Sequence, residues 1–241
     1  MAFDPSFEGF EGIAGVDGET TGRDPFLAKK PDTLWEYAIV IPHEGARLER
    51  VWEFWPEAVA DPEFLAMSNF SRRHHPRLRE WGAATLGTGG SWRRTSRREA
   101  ATEIAALLQG RHIVGIVPGF DDMFLRALLC EYDLRPSYHY HVICAEVHVR
   151  GFIHGWHAAL AAAAERLGRP AAGLVAELAG PPLEVTRAPW DADRLLAAVG
   201  AEPPQGIERH SALADARWAL EAYLLAQAPV PWTRSAGGPT P

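Results

Sequence analysis

The sequence has little cysteine, no long apolar run and no excess of basic residues, and each deficit excludes a class of protein. Its two cysteines, Cys130 and Cys144, have no CxxC spacing and lie in apolar runs, which excludes a disulfide-built scaffold and predicts buried thiols in a reducing compartment. No stretch approaches the length of a membrane span, so no membrane partner is expected. The formal net charge of -7 excludes a uniformly basic nucleic-acid coat protein, and polyanion binding must therefore be local or carried by metal ions.

The termini and the overall length predict the domain organisation. The start of the chain, MAFDPSFE, is acidic and lacks the basic and apolar regions of a secretory signal, which predicts a cytoplasmic protein. The 241 residues, 47% of them hydrophobic, suit one large domain with a substantial core. We expect a flexible lead-in over residues 1–9, a folded domain over residues 10–227 and a flexible Pro/Gly-rich tail over residues 228–241. A monomer and a homodimer are both compatible with this composition.

Three apolar segments near the start of the chain predict an antiparallel meander. Residues 12–19 form a short strand whose glycines indicate that another element packs closely on its backbone. Residues 33–41 alternate in the manner of a strand, and residues 48–55 form a third after a short connection. Strands joined by such short connections are most simply antiparallel.

Further along, predicted helices alternate with predicted strands, which indicates an α/β protein. Ser96 and Glu99 have the spacing of a capping box, and Gly110 is placed to end the helix that they begin. The predicted elements are a helix over 96–109, a strand over 112–117, a helix over 123–131, a strand over 140–145, helices over 157–167 and 190–199, and a last helix after residue 210.

Between these regions lies a basic, irregular segment over residues 70–95. It and the start of the next helix carry a run of arginines: Arg72, Arg73, Arg77, Arg79, Arg93, Arg94, Arg97 and Arg98. Contact with phosphates and a solvated loop both explain this run. Two histidine pairs, at 139/141 and 154/157, have metal-ligand spacing, but no cysteine or carboxylate completes either set, so a structural zinc protein is not favoured.

Acidic residues occur at two predicted strand ends. Asp17 and Glu19 are two residues apart, so both carboxylates face one side of a strand. A solvated strand end would explain the pair, but it follows an apolar strand and is closed by Thr-Thr-Gly, which favours a functional site. Asp121 follows the predicted strand over 112–117, at the edge where open α/β sheets bind their ligands.

A third acidic position lies in the stretch HSALADA, which begins at His210 and contains Asp215. The two side chains converge only if His210 lies on the turn before the helix. A polar helix start capped by Ser211 is the simpler alternative. The helix that follows has a stripe of residues predicted to be buried: Trp218, Leu220, Tyr223 and Leu224.

If these acids converge, the chemistry follows from their charges. Several carboxylates in one small volume cannot all stay ionised unless cations neutralise them. Oxygen ligands select Mg²⁺ or Mn²⁺ rather than zinc. Two such ions about 4 Å apart form the arrangement used for in-line attack of water on a phosphodiester. A base with a pKa near neutrality is also needed, and His210 is the candidate.

Together the three stretches resemble the motifs of the DEDDh 3′–5′ exonucleases, which include polymerase proofreading subunits, ribonuclease T and oligoribonuclease. DGETTG from Asp17 resembles the first motif, Phe120-Asp121 the second and HSALADA the third. They occur in the family's order, and the resemblance covers about residues 10–227. Many relatives carry His-Asn shortly before Phe-Asp, whereas this chain has Val117-Pro118 there.

The resemblance implies a ribonuclease-H-like α/β fold, with a central mixed sheet of three antiparallel strands plus two parallel ones, flanked by helices. It also implies hydrolysis at the 3′ end of single-stranded DNA or RNA, with two Mg²⁺ (or Mn²⁺) ions as cofactors and a polymerase or other replication or repair machinery as a partner. His210 would deprotonate the attacking water. The alternative is a non-cleaving nucleic-acid-binding or polymerase-accessory module. The implied metal ligands are Asp17, Glu19, Asp121 and Asp215, and the implied contacts to the terminal nucleotide are Thr20, Thr21, Gly22 and Phe120.

Overall fold

The computed structural model describes residues 12–20, 23, 25–26, 34–43, 46–53, 92–93, 96–178 and 180–227. The chain divides into two compact units, one of Met1–Ala145 with Pro203–Glu221 and one of Glu146–Glu202 with Ala222–Pro241. The predicted lead-in and tail lie outside the described residues, as does most of the basic segment. The predicted folded domain of residues 10–227 includes parts of both units.

A mixed sheet forms the centre of the first unit. In the part of the chain that is described it has six strands: β1 (Ile13–Thr20), β2 (Leu34–His43), β3 (Ala46–Glu53), β4 (Trp92–Arg93), β5 (His112–Gly115) and β6 (Ile143–Cys144). Their order is β4-β3-β2-β1-β5-β6. Strands β1, β2 and β3 are antiparallel, and β5 and β6 continue the sheet parallel to β1. The predicted α/β fold, with three antiparallel strands plus two parallel ones, is therefore confirmed. The short β4, which pairs with β3, was not predicted.

Helices flank this sheet, and others make up the second unit. They are α1 (Arg97–Leu107), α2 (Pro118–Glu131), α3 (Ala145–Leu167), α4 (Ala171–Leu178), α5 (Ala192–Ala197) and α6 (Ala212–Gln227). The predicted capping box is confirmed at the start of α1: the Glu99 N–H donates to Ser96 Oγ at 3.2 Å, and the Ser96 N–H donates to the Glu99 carboxylate at 3.0 Å. Gly110 has a φ of +71°, the left-handed conformation expected just beyond a helix.

Several predicted boundaries are wrong, and the errors have local causes. Helix α2 begins at Pro118 rather than at residue 123, because proline suits the first helical position, where a missing N–H costs nothing. Strand β5 therefore ends early, and Asp121 lies in the first turn of α2 instead of at the strand end. Strand β6 has two residues rather than six, because only Ile143 and Cys144 pair with β5 and α3 begins at Ala145.

The core of the first unit lies between one face of the sheet and helices α1 and α2. Tyr37 and Trp52 project from β2 and β3 into this core, and Ile104 of α1 and Phe124 of α2 cover them; all four side chains are fully buried. Burial of so many large apolar groups is the main stabilising contribution to this layer.

Burial corrects two further predictions. Cys130 is exposed and Cys144 is only partly buried, because Cys130 falls on the solvent side of α2. On α6, Trp218, Leu220 and Leu224 are buried as expected, whereas Tyr223 is half-buried.

Side-chain hydrogen bonds connect α3 to the segment before α5 in the second unit. The indole N–H of Trp190 donates to Glu146 at 2.8 Å, and Arg150 Nε donates to the Thr186 carbonyl at 3.1 Å. Helix α3 has 23 residues, but neither it nor any other helix in the described ranges is long and apolar enough to cross a membrane.

Candidate metal centre

Strand β1 and helix α6 bring three carboxylates together. Gly15, Asp17 and Glu19 alternate along β1 and share one face of the strand. The same face contacts α6 at Gly15, and Asp215 lies in the first turn of that helix. Carboxylate oxygens of Asp17, Glu19 and Asp215 all lie within 4.8 Å of one another. The predicted meeting of the first and third motifs is therefore present in the fold.

Asp121 lies beside this cluster but is held differently. Its Oδ1 accepts the Gly18 N–H at 3.1 Å, so it is joined to β1 between Asp17 and Glu19. A methyl group on Gly115 would lie 3.1 Å from its Oδ2, and only 3% of the residue is exposed. The carboxylate is thus packed against two strands, adjacent to the other three acids.

Burial and neighbouring charges change how Asp17 and Asp121 titrate. Burial, followed by the charges of Asp121, Glu19 and Asp215, raises the pKa of Asp17 well above its usual range. Burial also raises the pKa of Asp121 to about 7, opposed by the hydrogen bond from Gly18 and reinforced by the charge of Asp215. A positive charge beside Asp17 and Asp121 would therefore stabilise their ionised forms.

The sequence reasoning missed a fifth acid in this neighbourhood. Glu36 of β2 is paired in register with Glu19 and is fully buried. Its charge contributes to raising the pKa of Asp17. A single glutamate within the apolar strand LWEYAIVI was the available signal, because a glutamate is rarely buried unless it is paired or ligates a cation.

A tyrosine beside the acids was missed as well. Tyr37 lies opposite Gly18 in the β1–β2 register, and a methyl group on Gly18 would approach its ring to 3.2 Å. Burial, followed by the charge of Asp121, raises the pKa of Tyr37 well above its usual range. A glycine at position 18 therefore makes room for an aromatic ring beside the acids.

Asp122, the neighbour of Asp121, belongs to a separate hydrogen-bonded group. Tyr138 donates its hydroxyl hydrogen to Asp122 Oδ1 at 2.6 Å, and Arg126 Nε donates to Oδ2 at 2.7 Å. Of the two adjacent aspartates, Asp121 is the one bonded to β1. Asp122 instead holds the segment that leads to β6.

His210 lies on the turn that enters α6, the placement that its convergence with Asp215 requires. Its φ is +61°, a left-handed conformation that is uncommon for a residue other than glycine and is found more often at functional sites. Ser211 caps the helix, with its Oγ accepting the Ala214 N–H at 3.4 Å. The role of His210 as a base remains a prediction.

The remaining predicted residues have mixed placements. Thr20 ends β1, where the register with β2 shifts after Glu19, whereas Thr21 and Gly22 lie outside the described residues. Phe120 is in the first turn of α2, and its ring lies 5.0 Å from that of Phe124, at the edge of the core. The contact of Phe120 with a nucleotide stays a prediction, because this packing does not test it.

Comparison with known proteins does not assign a family. No protein-family model and no curated protein matches the chain. The three motifs and the geometry of the acidic cluster therefore carry the functional argument.

Proposed function

We propose that this protein is a metal-dependent 3′–5′ exonuclease of the DEDDh type, which hydrolyses phosphodiester bonds at the 3′ end of single-stranded DNA or RNA. The observation that supports this most directly is the meeting of Asp17, Glu19 and Asp215 within 4.8 Å. These residues are far apart along the chain, and in the sequence they belong to the first and third motifs of the resemblance.

The donor atoms fit Mg²⁺ or Mn²⁺. All three are carboxylate oxygens, which hard divalent cations prefer and which zinc sites rarely use alone. Asp121, bonded to β1 next to them, supplies a fourth carboxylate, so that two ions can share the group. When bound, such a pair of ions stabilises the charge that develops on the phosphate oxygens during hydrolysis.

The chain's own residues supply the other requirements. His210 stands at the entrance to α6, five residues before Asp215, and a neutral imidazole there would accept the proton of the attacking water. The hydrogen bond from Gly18 keeps the Asp121 carboxylate against β1. Glu19 is buried, whereas Asp17 and Asp215 are partly exposed, and a substrate would approach the cluster from the side of these two acids.

A non-cleaving nucleic-acid-binding module is the second candidate, and the electrostatics argue against it. Burial, with a contribution from neighbouring charges, raises the pKa values of Asp17 and Asp121, and ionised acids in such sites cost folding free energy at neutral pH. A protein that only binds nucleic acid gains nothing from this cost, whereas a nuclease uses the same acids to hold its ions. A structural zinc protein fits less well, because the cluster contains neither cysteine nor histidine.

The test uses matched single- and double-stranded DNA and RNA oligonucleotides labelled at the 5′ end. We expect Mg²⁺ or Mn²⁺ to produce a ladder shortened from the 3′ end of the single strands, and EDTA to stop it. Asp17→Asn should abolish the ladder, while Glu202→Gln, which changes an exposed acid in the second unit, should not alter it. Oligonucleotides that are bound but remain intact with both metals would favour the non-cleaving module.

A further inference from the structure

We propose that an exposed group of aromatic rings around Tyr140 binds single-stranded nucleic acid by stacking on its bases. The group consists of the rings of His112, His139, Tyr140 and His141 and is called the Tyr140 platform below. The choice of ligand rests on the proposed nuclease function. The stacking surface itself rests on the geometry of the rings.

The rings form a contiguous cluster in which His139 and Tyr140 are stacked and the other pairs are tilted. The His139 ring lies 4.6 Å from that of Tyr140, with an angle of 23° between their planes, and 4.0 Å from that of His112. The His141 ring leans against Tyr140 at 4.0 Å. Tyr140 is nevertheless 72% exposed. The Tyr140 ring is therefore stacked on the His139 imidazole while much of the ring is in water, which suits a surface that receives another flat ring.

Hydrogen bonds hold the platform in place before any ligand binds. The His139 N–H donates to the Arg111 carbonyl at 2.8 Å. His112 Nδ1 donates to the His141 carbonyl at 3.1 Å, and the His141 N–H donates to His139 Nδ1 at 3.2 Å. Because the rings are already ordered, stacking a base on them loses little conformational entropy.

The local charge suits a polyanion even though the whole chain is acidic. Neither residues 109–120 nor residues 134–145, the two segments that build the platform, contain an aspartate or glutamate. They contain Arg111 and Arg135 as well as the histidines. Asp121, Asp133 and Glu146 flank these segments, but the segments themselves are less acidic than the whole chain, whose net charge is -7.

The platform is connected to the candidate metal centre. Tyr138, directly before His139, donates its hydroxyl hydrogen to Asp122, and Asp122 follows Asp121. His112 is paired with Ile13, four residues before Asp17 on β1, which is about 13 Å along the strand. A nucleic-acid strand with its 3′ end at the acidic cluster would therefore reach the platform only with nucleotides several positions from that end. Stacking accepts any base, so we expect this contact to strengthen binding without selecting a sequence.

A transition-metal site made by the three imidazoles fits the same residues less well. The hydrogen bonds at Nδ1 of His139 and His112 leave Nε2 as the ligand atom of each ring, so the separation of the ligand atoms decides the question. Among the described residues, the acidic cluster is the group with three ligand atoms close enough for one ion. The ring cluster is therefore better explained as a surface for a planar ligand.

The test measures binding without cleavage, on the Asp17→Asn background with Mg²⁺ present. The probe is a fluorescein-labelled single-stranded oligonucleotide of about 12 nucleotides, within the usual site sizes for such proteins, and the readout is fluorescence anisotropy. Tyr140→Ala should weaken binding about 5- to 150-fold, the effect of losing one stacked base. Tyr140→Phe should retain the affinity, and Tyr140→Leu, apolar but not aromatic, should lose it. Leu167→Ala, which changes an exposed apolar residue of the second unit, is the control.

A second readout locates the contact on the nucleic acid. Substituting 2-aminopurine at successive positions should reveal one internal position whose fluorescence is quenched by the protein with Tyr140 and by the Tyr140→Phe variant, and recovers with Tyr140→Ala. Equal affinity of the proteins with and without Tyr140→Ala would overturn the platform and leave the nuclease proposal untouched. If Tyr140→Ala loses affinity but the protein with an intact Asp17 cleaves no oligonucleotide, the platform proposal stands and the nuclease proposal is wrong. Equal affinity of the leucine and phenylalanine variants would show an apolar contact instead of base stacking.

Discussion

Helix α6 lies so close to β1 that a methyl group on Gly15 would sit 2.6 Å from the carbonyl oxygen of Ala216. The same methyl group would lie 2.8 Å from Leu220 Cβ. Because Asp215 directly precedes Ala216, and Asp17 shares a strand face with Gly15, this backbone contact sets the separation of the two acids. A residue with no chemistry of its own thus determines whether the acidic cluster forms.

Gly15→Ala should therefore disturb both the fold and the site. We expect a loss of about 1–3 kcal/mol in the free energy of unfolding, typical of overpacking, measured by urea denaturation, together with weaker stabilisation by Mg²⁺. Gly151→Ala is the matched control: it lies in α3 with nothing within 4 Å of the added methyl group and should be neutral or slightly stabilising. Equal effects of the two substitutions would contradict the close contact.

Asp17→Asn should stabilise the protein in EDTA but remove the stabilisation that bound metal ions provide. Removing one charge relieves repulsion, so the melting temperature in EDTA should rise above that of the unsubstituted protein. Mg²⁺ or Mn²⁺ should raise the melting temperature of the unsubstituted protein, because the ions bind only the folded state, but not that of the variant. Glu202→Gln should behave like the unsubstituted protein, and an Asp17→Asn variant that still responds fully to millimolar metal would argue against a shared site.

The pH dependence follows from the raised pKa of Asp121. Its ordinary value is 3.8 and its value in the fold is about 7, so the unfolded chain releases this proton first as the pH rises. The contribution of protonated Asp121 to the free energy of unfolding is fully present below about pH 4 and is lost as the pH rises to about 7. In EDTA, the free energy of unfolding should therefore fall across this window relative to Asp121→Asn. Added Mg²⁺ should stabilise the unsubstituted protein more at about pH 8 than at about pH 5. If the free energies of unfolding of the unsubstituted protein and of Asp121→Asn in EDTA change in parallel with pH, the raised pKa does not belong to Asp121.

Substitution of His210 should separate catalysis from metal binding. His210→Asn is preferable to alanine, because asparagine tolerates the left-handed conformation at φ +61°. We expect single-turnover cleavage to slow about 10²- to 10⁴-fold, the usual effect of losing a general base, with little change in the Mg²⁺ dependence of the melting temperature. Equal losses of cleavage and of metal stabilisation would show that the residue supports the site instead of handling a proton.

Two tyrosines near the acids should respond differently to loss of their hydroxyl groups. The Tyr37 hydroxyl is buried and makes no hydrogen bond among the described residues, so Tyr37→Phe should be neutral or stabilising by about 1 kcal/mol. The Tyr138 hydroxyl is bonded to Asp122, so Tyr138→Phe should destabilise by about 1–3 kcal/mol. Urea denaturation at neutral pH measures both, and a large loss of stability in Tyr37→Phe would contradict the unsatisfied hydroxyl.

Local sequence patterns determined much of the first unit. Short apolar segments predicted β1, β2 and β3, and the Ser96–Glu99 spacing predicted the start of α1, because these features depend only on near neighbours in the chain. The glycines of β1 correctly indicated a close backbone contact. The motifs also predicted that Asp17, Glu19 and Asp215 belong to one metal site, and these three carboxylates do lie together.

The tertiary structure alone decided the features that depend on partners distant in sequence. Pairing of Glu36 with Glu19, the bond from Gly18 to Asp121 and the ring contact between His112 and His139 each join separate segments, and no local pattern specifies such register. Helix α3 was too short in the prediction, because a run such as AEVHVRGFIHGW has no strong helix signal until packing supplies one. The sequence thus identified the candidate site residues within each motif. The distances between those residues depend on the register of the sheet and on α6, which packs on Gly15.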